Sequence, residues 1–275
     1  MFARLLVGLD GSPGADAALK AAVALGRRFS STIVLAAITD VRLLEPPGIE
    51  AVEPLWTGGA IPAVAAELAT ALEEAARRRL EDGAAQVQAA GLRVETALSV
   101  GFVEEELLTL SDRAEAIVMG RRGDVHAGPS ALGEVTTHIV RKSRKPVVVA
   151  ADAPSGFEHP VVAYDGGETS TNALALAARY AEATGAMLRV VHVAVDEHAD
   201  ELLARAAAFL SSQQVAHETR RLEGDVTQAI SGFVTRSGAD LLVVGAHGGR
   251  RRSWAVGSHA EALLRGTAIP VIVNR

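Results

Sequence analysis

Residues 3–10 read ARLLVGLD and residues 159–165 read HPVVAYD. Each is a short apolar run that stops on an aspartate, Asp10 or Asp165, and then enters a small-residue turn and a helical stretch. An apolar run of this length bounded by turn residues fits a strand covered on both faces. Two further matches follow in the same order: AIVMGRRG at 116–123 against DLLVVGAHG at 240–248, and KPVVVAA at 145–151 against IPVIVNR at 269–275. Three matches in one order make the chain a tandem repeat.

Between these anchors, apolar runs of four to eight residues alternate with longer helical stretches, the pattern of parallel strands joined by crossover helices. The order is βαβαβαβαβ, twice. Strands are expected near 3–9, 32–39, 93–99, 115–120 and 146–151, and again near 159–164, 187–194, 216–222, 240–245 and 269–274. The domains are expected to span 1–151 and 159–275, with 152–158 as a linker short enough to pack them tightly. Residues 42–62 have no counterpart in the second half; rich in proline and glycine, they read as a loop. That loop is either a plain excursion or a lid or partner contact, since Leu55 and Trp56 are costly to leave in water. The closing strands start on proline and have edges that need covering, so the halves are expected to pair antiparallel through them as an intramolecular pseudo-dimer.

The chain has 275 residues, 49% of them hydrophobic, enough for two cores, and no cysteine, which excludes disulfides, thiolate metal sites and cysteine nucleophiles. A net charge of -6 argues against nucleic acid as a partner. No apolar run approaches the roughly 18 residues of a membrane span, and the run from Leu5 to Leu9 is too short for a signal-peptide core. A cytoplasmic protein that is not a membrane partner is the expectation.

In a sheet of this kind ligands bind beyond the carboxyl ends of the strands. The first-strand aspartate, the end of the second strand and the loop after the fourth all converge there. The first loop is Gly120-Arg121-Arg122-Gly123, then nine residues to Gly133 and Glu134. The second is Gly245-Ala246-His247-Gly248, then eight residues to Gly257 and Ser258. Glycines let backbone approach a phosphate closely, and the helix start that follows suits an anion. These loops resemble the G-x2-G-x9-G-[ST] nucleotide motif of universal stress proteins, and LLVGLDGSPGADAAL at 5–19 resembles that family's opening segment. The resemblance covers nearly the whole chain apart from residues 42–62.

The resemblance implies two tandem Rossmann-like, adenine-nucleotide-binding α/β domains, each a five-stranded parallel sheet with helices on both faces. It implies ATP or a related adenine nucleotide as ligand, with magnesium as an optional companion, and dimeric association, in which a further homodimer is compatible with the paired halves. Asp10 and Asp165 then lie beside the adenine or ribose, and Ile38 and Val193 contact the base. Gly120, Gly123, Gly133, Gly245, Gly248, Gly257 and Ser258 surround the ribose and phosphates. Arg121, His247 and Arg250 lie within or beside the loops where a phosphate could meet them; the alternative for Arg250 and its two neighbours is a solvated surface, as it is for the loop histidines His126 and His247. The aspartates also have a structural alternative, as helix caps or Asx-turns.

Both loops depart from the motif: Glu134 stands where Ser or Thr is expected, and the second loop is one residue short. A glutamate in a first helical turn is ordinarily favourable by roughly 0.3 to 1 kcal/mol. Facing a triphosphate about 5 Å away at a dielectric near 20, it is opposed by about 3 kcal/mol per unit charge. On that footing the second half is expected to grip phosphate better, and Glu134→Ser to tighten the first by up to roughly 100-fold. No metal-ligand spacing, triad or G-x4-G-K-[ST] loop is present. The functional expectation is an ATP-binding stress regulator rather than a fast enzyme, with a slow ATP hydrolase or a ligand-free scaffold as alternatives.

Overall fold

Leu5, Leu6 and Val7 are all fully buried, which places the opening run in the interior of a sheet covered on both faces. The computed structural model describes residues 1–43, 60–123, 132–151, 155–194, 198–247 and 257–275, with side chains of the second stretch described from residue 66. The first half contains β1 (Arg4–Gly8), α1 (Pro13–Phe29), β2 (Thr32–Asp40), α2 (Ala60–Ala89), β3 (Arg93–Gly101), α3 (Val103–Ser111), β4 (Ala116–Met119), α4 (Glu134–Lys142) and β5 (Val147–Val149). The second contains β6 (Pro160–Ala163), α5 (Glu168–Thr184), β7 (Leu188–Val193), α6 (Ala199–Ser212), β8 (His217–Leu222), α7 (Val226–Ser237), β9 (Leu241–Gly245), α8 (Ser258–Gly266) and β10 (Val271–Asn274).

All ten strands fall where the apolar runs place them. They form one sheet in the order β3-β2-β1-β4-β5-β10-β9-β6-β7-β8. Pairing is parallel within each half, and the one antiparallel pair is β5 with β10, where Val148 faces Ile272. The proline-started strands therefore cover each other's edges, as expected.

Side chains alternate across the sheet. Leu5 and Val7 join a core layer with Ala18, Leu19 and Leu25 of α1 and with Val162, Leu176 and Tyr180 of the second half; Leu6 and Ile117 face the opposite layer with Ile139, Val161 and Val244. Both layers run through the seam between the halves. α1 begins with Pro13 in its first turn after Ser12, whose buried hydroxyl accepts from Ala15 N–H at 3.1 Å, and its buried face of alanines and leucines lets it lie close to the sheet.

One sequence expectation needs correction. Residues 42–62 are not a loop throughout: Val41–Leu43 forms a 3₁₀ turn and α2 already begins at Ala60. The good helix formers of 63–89, few of them β-branched, carry the helix back into the segment, with Pro62 tolerated in its first turn. Leu55 and Trp56 lie outside the described residues. In the linker, Phe157 is fully buried and its carbonyl accepts from Tyr180 Oη at 2.6 Å. Phe2, Phe29 and Tyr180 stack edge to face behind it, and Arg28 donates to Gly156 O at 3.0 Å, so the linker is part of the seam. No helix among the described residues is long and apolar enough to cross a membrane.

Candidate nucleotide site

The strand order reverses between β1 and β4 in the first half and between β6 and β9 in the second, so the loops after those strands meet at the carboxyl edge of the sheet. In the first half the meeting is backbone on backbone. A Cβ on Gly14, in the first turn of α1, would lie 1.8 Å from the Arg122 carbonyl oxygen, and one on Gly120 would lie 2.3 Å from Gly14 O. The loop's two ends are tied together by Gly133 N–H donating to Arg121 O at 2.8 Å, and Thr136 Oγ1 holds Gly120 O at 2.8 Å. Gly123 rests on Asp10, since a Cβ there would fall 2.6 Å from Asp10 Oδ2. Asp10, Gly120, Gly123 and Gly133 are thus brought into one site, with Glu134 opening α4 beside them.

The second half builds the same junction with side chains. Thr169 occupies the position of Gly14, four residues after the aspartate; its hydroxyl donates to His247 O at 2.5 Å and accepts from His247 N–H at 3.2 Å. Gly257 N–H closes the loop onto Ala246 O at 2.9 Å. Ser258 is exposed at the start of α8. Gly248 and Arg250 lie outside the described residues, as do His126 and Trp254.

Both aspartates are exposed, and both make the local turn contact that was their structural alternative. Asp10 Oδ1 accepts from Ser12 N–H at 2.9 Å, and Asp165 Oδ1 from Gly167 N–H at 2.9 Å and from Ser170 Oγ. An ionised carboxylate has about four acceptor positions on its two oxygens, so the bond to Ser12 N–H does not exhaust Asp10. Ile38 is half-buried and Val193 fully buried at the carboxyl ends of β2 and β7, both packed toward the α3/α7 side of the sheet. Just beyond Ile38, the Arg42 guanidinium donates to Asp40 at 2.8 Å and holds that carboxyl below its ordinary range.

Arg121 reaches across to the other half. Its Nη2 donates to the carbonyls of Thr267 and Ile269, at the turn between α8 and β10 of the other half. Ala246 occupies the equivalent place in the second loop, so this tie runs in one direction only. His247 also turns toward protein, with Nδ1 2.7 Å from Ala246 O and Nε2 3.5 Å from Arg275 Nη2. The sequence reading missed Thr169, Ser170 and Thr136; the first two sit at fixed offsets from Asp165, the signal that could have found them.

The profile described as the Universal stress protein family matches twice, over residues 1–151 and 156–275. The chain belongs to the universal stress protein family. A universal stress protein of Mycobacterium tuberculosis strain H37Rv is 28% identical over 297 aligned positions, covering 98% of this chain and 96% of the relative, so it shares the tandem length. One from Synechocystis is 29% identical over 195, covering 69% and 68%. The solved structure of a universal stress protein from Archaeoglobus fulgidus superposes with a TM-score of 0.78 at 20% identity, covering 99% of this chain and 96% of that one, which establishes the tandem fold. As a tandem universal stress protein, the chain carries one copy of the family's domain in each half.

The Glu134 expectation changes with the structure. Its side chain is exposed at the first position of α4. Water then screens it, and the repulsion of a charge about 5 Å away falls to roughly 0.8 kcal/mol at a dielectric near 80. Glu134→Ser is expected to tighten ATP binding at the first half by only about fourfold in the absence of magnesium. Titration calorimetry at low ionic strength checks this, and a gain near 100-fold would show a drier site.

Proposed function

We propose that this universal stress protein binds ATP or a related adenine nucleotide, one in each half, and acts as a regulator whose two halves work as an intramolecular pseudo-dimer in the cytoplasm. The observation that carries the reading is that the two ends of each glycine loop are tied together at the carboxyl edge of the sheet, in the first half against the Asp10 turn. Gly133 bonded to Arg121 O, and Gly257 bonded to Ala246 O, bring the starts of α4 and α8 back to the ends of β4 and β9. Neither helix has a side-chain cap at its amino terminus, whereas Ser12 caps α1 and Asp225 caps α7. Among the described residues no side chain caps those first-turn N–H groups, and a phosphate would match their charge and hydrogen bonding.

Asp10 and Asp165 would take donors from the ribose or adenine, with Ile38 and Val193 at the base. Gly123, Gly133, Gly257 and Ser258 would line the phosphates. Among the described residues no cluster of three or more histidine or acidic side chains is arranged to hold a metal, so magnesium would enter with the phosphates, and the exposed Glu134 would offer it a carboxylate.

Thermal denaturation with ATP, ADP, AMP, adenosine and GTP in turn tests the proposal. Adenine nucleotides should raise the midpoint with a concentration dependence that follows a single dissociation constant per site, and GTP should raise it less. Equal shifts with GTP would remove the adenine reading; no shift at millimolar concentration would favour a ligand-free scaffold.

A further inference from the structure

Helix α2 carries three consecutive arginines. Arg77 pairs with Glu73 and Arg78 with Glu74, each one turn back along the helix. The residue one turn back from Arg79 is Ala75. Among the described residues Arg79 makes no hydrogen bond or ion pair, yet it is half-buried rather than extended into water. Its guanidinium lies on the turn that follows β1: a Cβ on Gly11 would fall 2.9 Å from Arg79 Nε and 3.6 Å from Cζ. Gly11 has φ of 87°, the left-handed conformation that brings the backbone under the arginine and that glycine adopts without strain. The residue before it is Asp10.

The second half has the same turn with a different cover. Gly166 has φ of 78°, and a Cβ there would fall 2.6 Å from Leu202 Cδ2 of α6. The repeat therefore sets a cation against an apolar side chain at equivalent places beside Asp10 and Asp165. A guanidinium partly removed from water without a partner has lost hydration that an anion beside it would replace with charge-assisted hydrogen bonds. Asp10 does not serve as that partner: among the described residues no hydrogen bond or ion pair joins it to Arg79, and its Oδ1 takes Ser12 N–H.

We propose that Arg79 is a specificity-determining residue of the first half: it binds an anionic group of the nucleotide, so that this half selects charged nucleotides over neutral nucleosides, while Leu202 gives the second half no such selection at this point. The assignment rests on the nucleotide reading above.

The test is titration calorimetry of the full chain with adenosine, AMP and ATP in an Asp165→Ala background, so that the first half alone reports. Arg79→Leu, which installs the second half's residue, should weaken AMP and ATP by about tenfold and leave adenosine within about twofold. Arg79→Lys should recover part of the loss, because the charge returns without the fork. In an Asp10→Ala background, Leu202→Arg should tighten AMP and ATP at the second half and leave adenosine unchanged. Equal loss for adenosine and ATP, or no loss for either, would overturn the assignment while leaving nucleotide binding intact. Absence of binding by the unsubstituted chain would overturn both.

Discussion

Alanine at position 14 is expected to destabilise the chain by roughly 3 kcal/mol, the upper end of what an overpacked site costs. At an unhindered helix position the same change would stabilise by about 0.4–1 kcal/mol, so the sign itself is diagnostic. The reason is that the new Cβ would lie 1.8 Å from the Arg122 carbonyl oxygen, and both partners of that clash are backbone. No side-chain rotation relieves it. Either α1 shifts along the sheet, against the buried Ala15, Ala18 and Leu19, or the first glycine loop lifts away from β1. For a chain of this size the thermal midpoint should fall by about 6–12 °C. Nucleotide affinity at the first half should fall with it, because Gly120 and Gly123 are held by the same contact. Calorimetric unfolding reads the first effect, and an unchanged midpoint would mean that the two backbones are not in contact.

Replacing Asp10 and Asp165 together by alanine should abolish most of the stabilisation that ATP confers. At a hundredfold excess over the dissociation constant, ligand binding is worth about 2.7 kcal/mol per site, or a rise of about 5–11 °C in the midpoint for each site filled. Both carboxylates also hold a backbone N–H two residues on, so the double variant loses roughly 1 kcal/mol per site before any ligand is added. The relevant quantity is therefore the ATP-induced shift within each protein, not the midpoint itself. Asp10→Asn with Asp165→Asn preserves an acceptor oxygen for the turn while removing the charge, and separates the two roles. A shift undiminished in the alanine variant would mean that the ligand is not read at these residues.

The fold was legible because its central strands, unlike the edge strands β3 and β8, are buried on both faces. Continuous runs such as LLV at 5–7 and VVV at 147–149 have little alternative in a chain of this composition, and their repetition made the register of the two halves plain. The segment 42–62 was less legible, since proline and glycine mark where a regular element stops but not how far the following helix reaches back. In the site, the glycines were found by spacing, but part of their reason is structural: Gly14 and Gly120 are small because α1 and the loop touch, before any ligand is considered. Arg121 could not have been placed from sequence, because its partners are carbonyls of Thr267 and Ile269, nearly 150 residues away and across the seam. Arg79 was visible in principle as the one member of its run without a glutamate one turn earlier. What sequence could not show was that its guanidinium lies over Gly11.

The central claim is that each half holds one adenine nucleotide at its aspartate and glycine loop. Titration calorimetry of the nucleotide-free chain with ATP, alongside the single variants Asp10→Ala and Asp165→Ala, tests it most directly. The account predicts two ATP per chain for the unsubstituted protein and one for each variant. Two retained sites in both variants, or no saturable binding up to millimolar ATP in the unsubstituted chain, would contradict it.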